Sequence, residues 1–369
     1  MTDIASLDKL AAVESQLPVS AYFDEQLFEQ ERRILFDAGP GYVGHACMVP
    51  EEADFHTLAW QDHARMLVNN PDGAYLMSNI CRHRQAIMLQ GRGKANKIAC
   101  PVHRWAYDQE GQLLGAPRFP QNPCLHLDRQ KLESWQGLLF KGPRSANADL
   151  AGMRLAPALD FSGYVLNRIE LHACNYNWKT FIEVYLEDYH VAPFHPGLGR
   201  FVTCDDLSWQ FGNWYSVQRV GLNKLDRPGS PAYARWHRAV EEKYKGEAPP
   251  HGAIWLTYFP NVMVEWYPHV LVVSHLVPQG VQKTLNVVEF YYPEEIAADA
   301  AFVEAEQAAY METAIEDDEI GERMDRGRRA LWLAGRNEVG PYQSPLEDGM
   351  QHFHAFYRRM MGAHLNDVA

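Results

Sequence analysis

Long apolar runs are missing. Nowhere in the 369 residues do about 18 uncharged apolar residues follow one another, which argues against a membrane-spanning helix. The opening stretch MTDIASLDKLAAVESQLPVSAYF has no basic region leading into an apolar run, so no signal peptide is expected. Positive charge is short too. The 34 Lys and Arg face 47 Asp and Glu, for a formal net charge of −13. That is the wrong sign for a nucleic-acid or anionic-membrane partner, and a cytoplasmic protein is expected. The six cysteines (Cys47, Cys81, Cys100, Cys124, Cys174, Cys204) are too few and too scattered for a disulfide scaffold. In a reducing compartment such residues are more often buried, catalytic or metal-bound. There is no fixed-period repeat and no low-complexity tract.

What is present suits a large packed interior: 47% of residues are hydrophobic and 12% aromatic, in a chain long enough for one large and one smaller domain. A helical pattern ending in glycine, SAYFDEQLFEQERRILFDAG, comes first. From about Gly41 to Gly142, short β segments (YVGHACMV, ARMLVNN, AYLMSNI, KIACPV, GLLFKG) alternate with Gly, Pro, Asn and Asp, as in a small antiparallel β domain. After Leu150 the texture changes. NWKTFIEVYLEDYHVA reads as a helix stopped at Pro193, and AIWLTYFPNVMVEWYPHVLVVSHLVP with KTLNVVEFYYP as strands of a sizeable antiparallel sheet. A long amphipathic run over 294–335 follows, then a closing helix from about Leu346. The expected fold class is α+β, with the β domain inserted into or preceding a helix-and-sheet domain.

Two loops carry chemistry. Cys81-x-His83 and Cys100-x-x-His103 each supply one thiolate and one imidazole. Two Cys and two His could hold a structural zinc, but zinc fingers of that composition pair like with like. Mixed loops suit a [2Fe–2S] cluster with both cysteines on one iron and both histidines on the other. Pro101 stiffens the second loop; Trp105, Tyr107 and Asp108 offer cover and hydrogen bonds. In the second half, His190 and His195 are too far apart for one helix face, but a chain broken at Pro193 can bring them together. Glu183, Glu187 and His190 fall at i, i+4 and i+7, and a carboxylate beside a ligand histidine fixes its tautomer. Two histidines need one carboxylate to form the triad that leaves positions on Fe(II) open to dioxygen, and spacing alone does not select it.

The first pair of loops matches the Rieske motif C-x-H-x₁₆-C-x₂-H, and the whole chain resembles the α-type subunit of Rieske non-heme iron oxygenases. Departures are local. Val102 stands where the family has Tyr in C-P-Y-H, and Val184 where it often has Asn. The resemblance implies an N-terminal helical segment (1–40) packed on the catalytic domain, a Rieske domain (41–148) and a helix-grip catalytic domain (149–369). It implies Cys81, His83, Cys100 and His103 as cluster ligands, and His190 and His195 as iron ligands after Asn177-Trp178-Lys179. The third ligand comes from the family's D-x₄-E-x₂-Q, an Asp opening a helix. Asp317 with Glu322 fits, although Asp325 replaces the Gln and the register could slip to Asp318; Asp348 better matches the closing helix.

It further implies electrons passing from NAD(P)H through a separate reductase or ferredoxin to the cluster, then across subunits of a ring-shaped trimer to the mononuclear iron. Glu187 would join His190 to His103 of the partner subunit. Dioxygen and a small organic molecule are the substrates. The step from Asn177 to His190 is similar to members working without a β subunit, many of them monooxygenases and O- or N-demethylases; ring cis-dihydroxylation is the alternative. Trp255, Tyr258, Trp266 and Phe290 are candidate cavity residues or core. No cationic cluster announces a carboxylate substrate, and no aromatic cage a quaternary ammonium.

Overall fold

A computed structural model of the chain describes Leu10 and residues 15–365. The chain divides into two compact units, Ala38–Ala148 and a larger one built from the chain up to Asp37 and from Asp149 onward. The chain as a whole is of the expected α+β class.

The smaller unit is antiparallel β throughout. Its five-stranded sheet runs in the order Arg92–Lys94, Asp54–Thr57, Arg65–Asn70, Gly73–Ser78, Arg129–Lys131, with two three-stranded sheets beside it. The tight turn Pro71-Asp72 closes the central hairpin, where Asn70 pairs with Gly73 and the Asp72 carboxylate accepts from the Tyr75 hydroxyl at 2.6 Å. Met66, Val68, Met77, Ile98 and Leu113 form its core, together with Cys81, Cys100, Trp105 and Tyr107.

The larger unit is a seven-stranded antiparallel sheet in the order Tyr164–Cys174, Lys283–Pro293, Val270–Gly280, Val262–Tyr267, Ala253–Tyr258, Tyr215–Leu222, Val202–Phe211. Six strands follow one another as a meander, and the first pairs with the last on the far edge. Alternation along the strands puts Trp255, Val272 and Phe290 in one apolar cluster with Phe302 and Ala309 of a long helix.

That helix runs unbroken from Ala300 to Leu333. The Asp299 carboxylate accepts from the Phe302 amide at its start. At its end Gly335, at φ +64°, donates to Trp332 while Arg336 donates to Leu331, a Schellman stop that needs the left-handed glycine. The closing helix, Asp348–Leu365, packs Phe353, Phe356, Tyr357 and Met361 against Trp178, Ile182 and Leu27 of the N-terminal helix Glu25–Glu31. All four are at most 1% exposed, and each contributes about 1.5–3 kcal/mol on burial.

Two expectations are corrected. The helix beginning at Trp178 ends at Tyr185 rather than Pro193, and Pro193 lies inside a separate short turn, Val191–Phe194. Leu186–His190 is unwound because the Asp188 amide donates to the Leu346 carbonyl at 2.8 Å instead of continuing the helix. Glu183 and Glu187 therefore do not share a helix face. Asp317, expected to open a helix, lies in the middle of one.

Candidate active site

The two Cys/His loops of the smaller unit are built alike. The Cys81 amide donates to the Ala86 carbonyl and its carbonyl accepts from Gln85; the Cys100 amide donates to Trp105 and its carbonyl accepts from Arg104. Gln85 (φ +52°) and Arg104 (φ +62°) turn each loop in the left-handed region, at a cost of about 1–2 kcal/mol each that side chains other than glycine incur there. Both cysteines are buried, and the His83 and His103 rings lie 4.5 Å apart between centroids. Nδ1 of His83 is buried with no hydrogen-bond partner, as a ligand nitrogen would be. Trp105 stacks on His83 at 4.9 Å, and the Tyr107 hydroxyl lies 3.7 Å from Cys81 Sγ. Asp108 takes no part in this cover: its carboxylate accepts from the Glu110 and Gln112 amides and shapes a turn.

In the larger unit the unwound segment and the long helix bring His190, His195 and Asp317 together. Asp317 Oδ1 lies 3.0 Å from His195 Nε2 and 3.4 Å from His190 Nε2. The Nδ1 of each ring is held by another carboxylate, Glu187 Oε1 at 2.5 Å from His190 and Glu316 Oε2 at 2.7 Å from His195. A ring that donates Nδ1–H presents the Nε2 lone pair, and both lone pairs converge on one oxygen. Burial opposes charge on His190, but Asp317 and Glu187 outweigh it and push its pKa up to about 10. A metal cation at the convergence point would take the place of that proton. The donor set suits Fe(II).

Asp318, one residue on, points elsewhere: it binds His172 Nε2 at 2.5 Å and the Tyr176 hydroxyl at 2.8 Å. The Tyr176 ring reaches it by lying over Gly321, where a Cβ would come within 2.8 Å of the ring. Among the described residues, His190–His195–Asp317 and His172–Cys174–Asp318 are the groups of three metal-type donors within 4.8 Å of one another. The Cys81, His83, Cys100 and His103 donors are not among these groups; a two-iron cluster divides its four ligands between two metals.

The triad opens on a cavity lined by aromatic rings, including Phe201, Tyr233, Trp236 and Trp255. Of the strand candidates only Trp255 lines it: the Tyr258 hydroxyl donates to Asp149, and Trp266 packs on His251. No Lys or Arg is among the lining residues, whereas Glu265 and Glu306 are. Sequence reading missed both, and Glu316 as well. The available signal was an acid inside an otherwise apolar strand, as in VMVEWY.

A β domain with paired Cys/His loops, joined to a helix-and-sheet domain with two histidines and a carboxylate on one point, defines a two-centre oxygenase. Residues 40–134 match the family model "Rieske [2Fe-2S] domain" and residues 158–363 the "Ring hydroxylating alpha subunit (catalytic domain)". The chain is 63% identical over 98% of its length to the whole of a putrescine 2-hydroxylase from Ralstonia nicotianae. It is 58% identical, again over 98%, to 88% of a putrescine 2-hydroxylase from Bordetella bronchiseptica. It is also 25% identical, over 92%, to 75% of a choline monooxygenase from Beta vulgaris. Its fold is that of a quaternary ammonium Rieske monooxygenase solved with L-carnitine (TM-score 0.74, 19% identity, 95% of this chain and 96% of that one). The chain belongs to the Rieske non-heme iron oxygenases, as the α-type catalytic subunit, an oxidoreductase with a [2Fe–2S] cluster and a mononuclear iron.

Proposed function

We propose that the chain hydroxylates putrescine, or an aliphatic diamine of the same chemistry, at the carbon next to an aminomethyl group. The observation that carries this reading is the 63% identity to a putrescine 2-hydroxylase along the whole of both chains. The balance is that of a monooxygenase: one C–H bond, O₂, two electrons and two protons give one C–OH and one water. Putrescine carries no methyl group to lose, so retained hydroxylation replaces the demethylation expected from the sequence.

In this reading Cys81 and Cys100 hold one iron of the cluster, and His83 and His103 the other. His190, His195 and Asp317 hold the mononuclear Fe(II). When bound, that iron supplies the reduction of dioxygen. Glu187 and Glu316 fix the tautomers of the two histidines by accepting their Nδ1 protons. The aromatic walls exclude water from the cavity. Electrons come from NAD(P)H through a separate reductase in the cytoplasm. Glu187 carries the link from His190 to His103 of the partner subunit in a trimer.

The test is turnover of putrescine by reconstituted holoenzyme with isotopically heavy dioxygen. One heavy oxygen in the product, no formaldehyde, and about three irons per chain are expected. Two heavy oxygens would mean a dioxygenase, and formaldehyde a demethylase. His195→Ala should end turnover and leave the visible cluster spectrum intact. Glu187→Gln should keep both metals yet lose product per electron consumed.

A further inference from the structure

We propose that Glu265 and Glu306, with the hydroxyls of Tyr267 and Tyr310, bind one protonated primary amine of the substrate and thereby set which carbon faces the His190–His195–Asp317 centre. The inference rests on the amine-hydroxylase reading above and deepens it. Both carboxylates are 3% exposed and both line the cavity, Glu265 from the sheet and Glu306 from the long helix.

Glu265 is held in place from two sides. Its Oε2 accepts from the Tyr267 hydroxyl at 2.8 Å and its Oε1 from Tyr310 at 3.2 Å. The direction of the first bond is fixed, because Trp255 Nε1 donates to the Tyr267 oxygen at 2.9 Å and leaves that hydroxyl's proton for Glu265. Glu306 accepts from Tyr292. An ionised carboxylate has about four acceptor positions, so each acid retains free ones. The cavity's histidines cannot serve as counter-ions: His172, His190 and His195 are already bound to Asp318, Glu187 and Glu316.

A second feature points the same way. The Tyr185 hydroxyl and Oδ2 of Asp188, which is 4% exposed, are buried atoms of cavity-lining residues with no hydrogen-bond partner. A polar ligand inside this cavity would meet carboxylates, hydroxyls and aromatic faces, and no Lys or Arg. A primary ammonium matches that lining, since it donates three hydrogen bonds and is attracted to ring faces. A quaternary ammonium has no N–H to give, so bare acids reached by tyrosine hydroxyls favour the primary amine. Burial pushes the Glu265 carboxyl up to about 7 and the Glu306 carboxyl up to about 8, against the pull of their tyrosine donors. An ammonium entering between them restores the ionised form.

The experiment compares wild-type, Glu265→Gln and Glu306→Gln holoenzymes with reductase and NADH, and measures putrescine binding separately by calorimetry. Each variant should raise the KM for putrescine by about 10–100-fold, the loss of a hydrogen bond to a charged group. The hydroxyl should also appear at more than one carbon, with an unchanged cluster spectrum. If one variant fails to fold, the other carries the same expectation. Wild-type hydroxylation of putrescine with unaltered KM and a single product in both variants overturns the acid site and leaves the function standing. Turnover of some other primary amine, lost in the same variants, overturns the function and supports the site. Turnover of neutral molecules alone, indifferent to both variants, overturns both.

Discussion

Buried acids occur in two regions of the catalytic unit, and the two are treated differently. Around the start of the helix Trp178–Tyr185 every acid named here meets a cation or a full set of donors. Glu31 accepts from Lys179, Trp178 and Tyr357; Glu183 from Arg328, His354 and Tyr22; Asp325 from Thr180, Gln282, Arg328 and the Asn177 amide. Burial alone would raise Glu183, but Arg328, His354 and Tyr22 hold it at about 2. On the cavity wall Glu265 and Glu306 have tyrosines and no cation, and burial wins, to about 7 and about 8. A self-compensated cluster fastens the N-terminal segment, the Asn177–Trp178–Lys179 turn and the two last helices together. The uncompensated pair is stable chemistry only when something else brings the charge.

The largest effect should come from breaking the compensated side. Lys179→Met strips Glu31 of its cation in a site where both side chains are 1% exposed. A loss of about 3–5 kcal/mol in chemical denaturation is expected. A loss below about 1 kcal/mol would show that the cluster is not what holds these elements. The opposite side should respond to pH. A carboxyl raised in the folded state keeps a proton that the unfolded chain has released. The stability it costs therefore grows as pH climbs from the ordinary carboxylate value and is complete above about 7 for Glu265. Glu183, held down, gives stability present above the ordinary carboxylate value and lost as pH falls toward 2. Glu265→Gln should thus gain roughly 1–3 kcal/mol on wild type between pH 5 and pH 8. Saturating putrescine should erase that gain. Parallel stability curves for the two proteins would refute the contrast.

What the sequence discloses follows the reach of each interaction. The two Cys/His loops and the His190–His195 pair are local patterns, readable because a ligand set from one loop or one break is written within a few residues. Asp317 needed the family pattern, whose helix start misplaced it, whereas the breaker-poor amphipathic run over 294–335 already put it inside one long helix. The end of the earlier helix at Tyr185 was invisible for a different reason: Glu187 and Asp188 do not forbid a helix, and the bond that ends it goes to Leu346, far along the chain. Glu265 and Glu306 were missed on the same ground. One lies on a strand and the other on a helix, and only the closed cavity puts both on one wall space.

The finest test of the contrast changes one hydroxyl. Tyr310 gives Glu265 the longer of its two hydrogen bonds, at 3.2 Å, and packs its ring on Phe290 at 5.1 Å. Tyr310→Phe keeps the ring contact and removes the donor. A donor stabilises the ionised carboxylate more than the neutral acid, so its loss raises the Glu265 pKa further and extends the decline in stability to higher pH. The groups that face Glu265, namely Tyr267, Tyr185, Glu306 and Asp317, stay as they are. The variant should match wild type at pH 5 and fall about 1 kcal/mol below it at pH 8, near the usual worth of one hydrogen bond. The same kind of variant in the compensated cluster, Tyr357→Phe against Glu31, should show its loss at both pH values, because Glu31 already has its cation in Lys179. If Tyr310→Phe lost stability equally at pH 5 and pH 8, Glu265 would already be ionised in the free enzyme, and the cavity would carry its negative charge before any amine arrives.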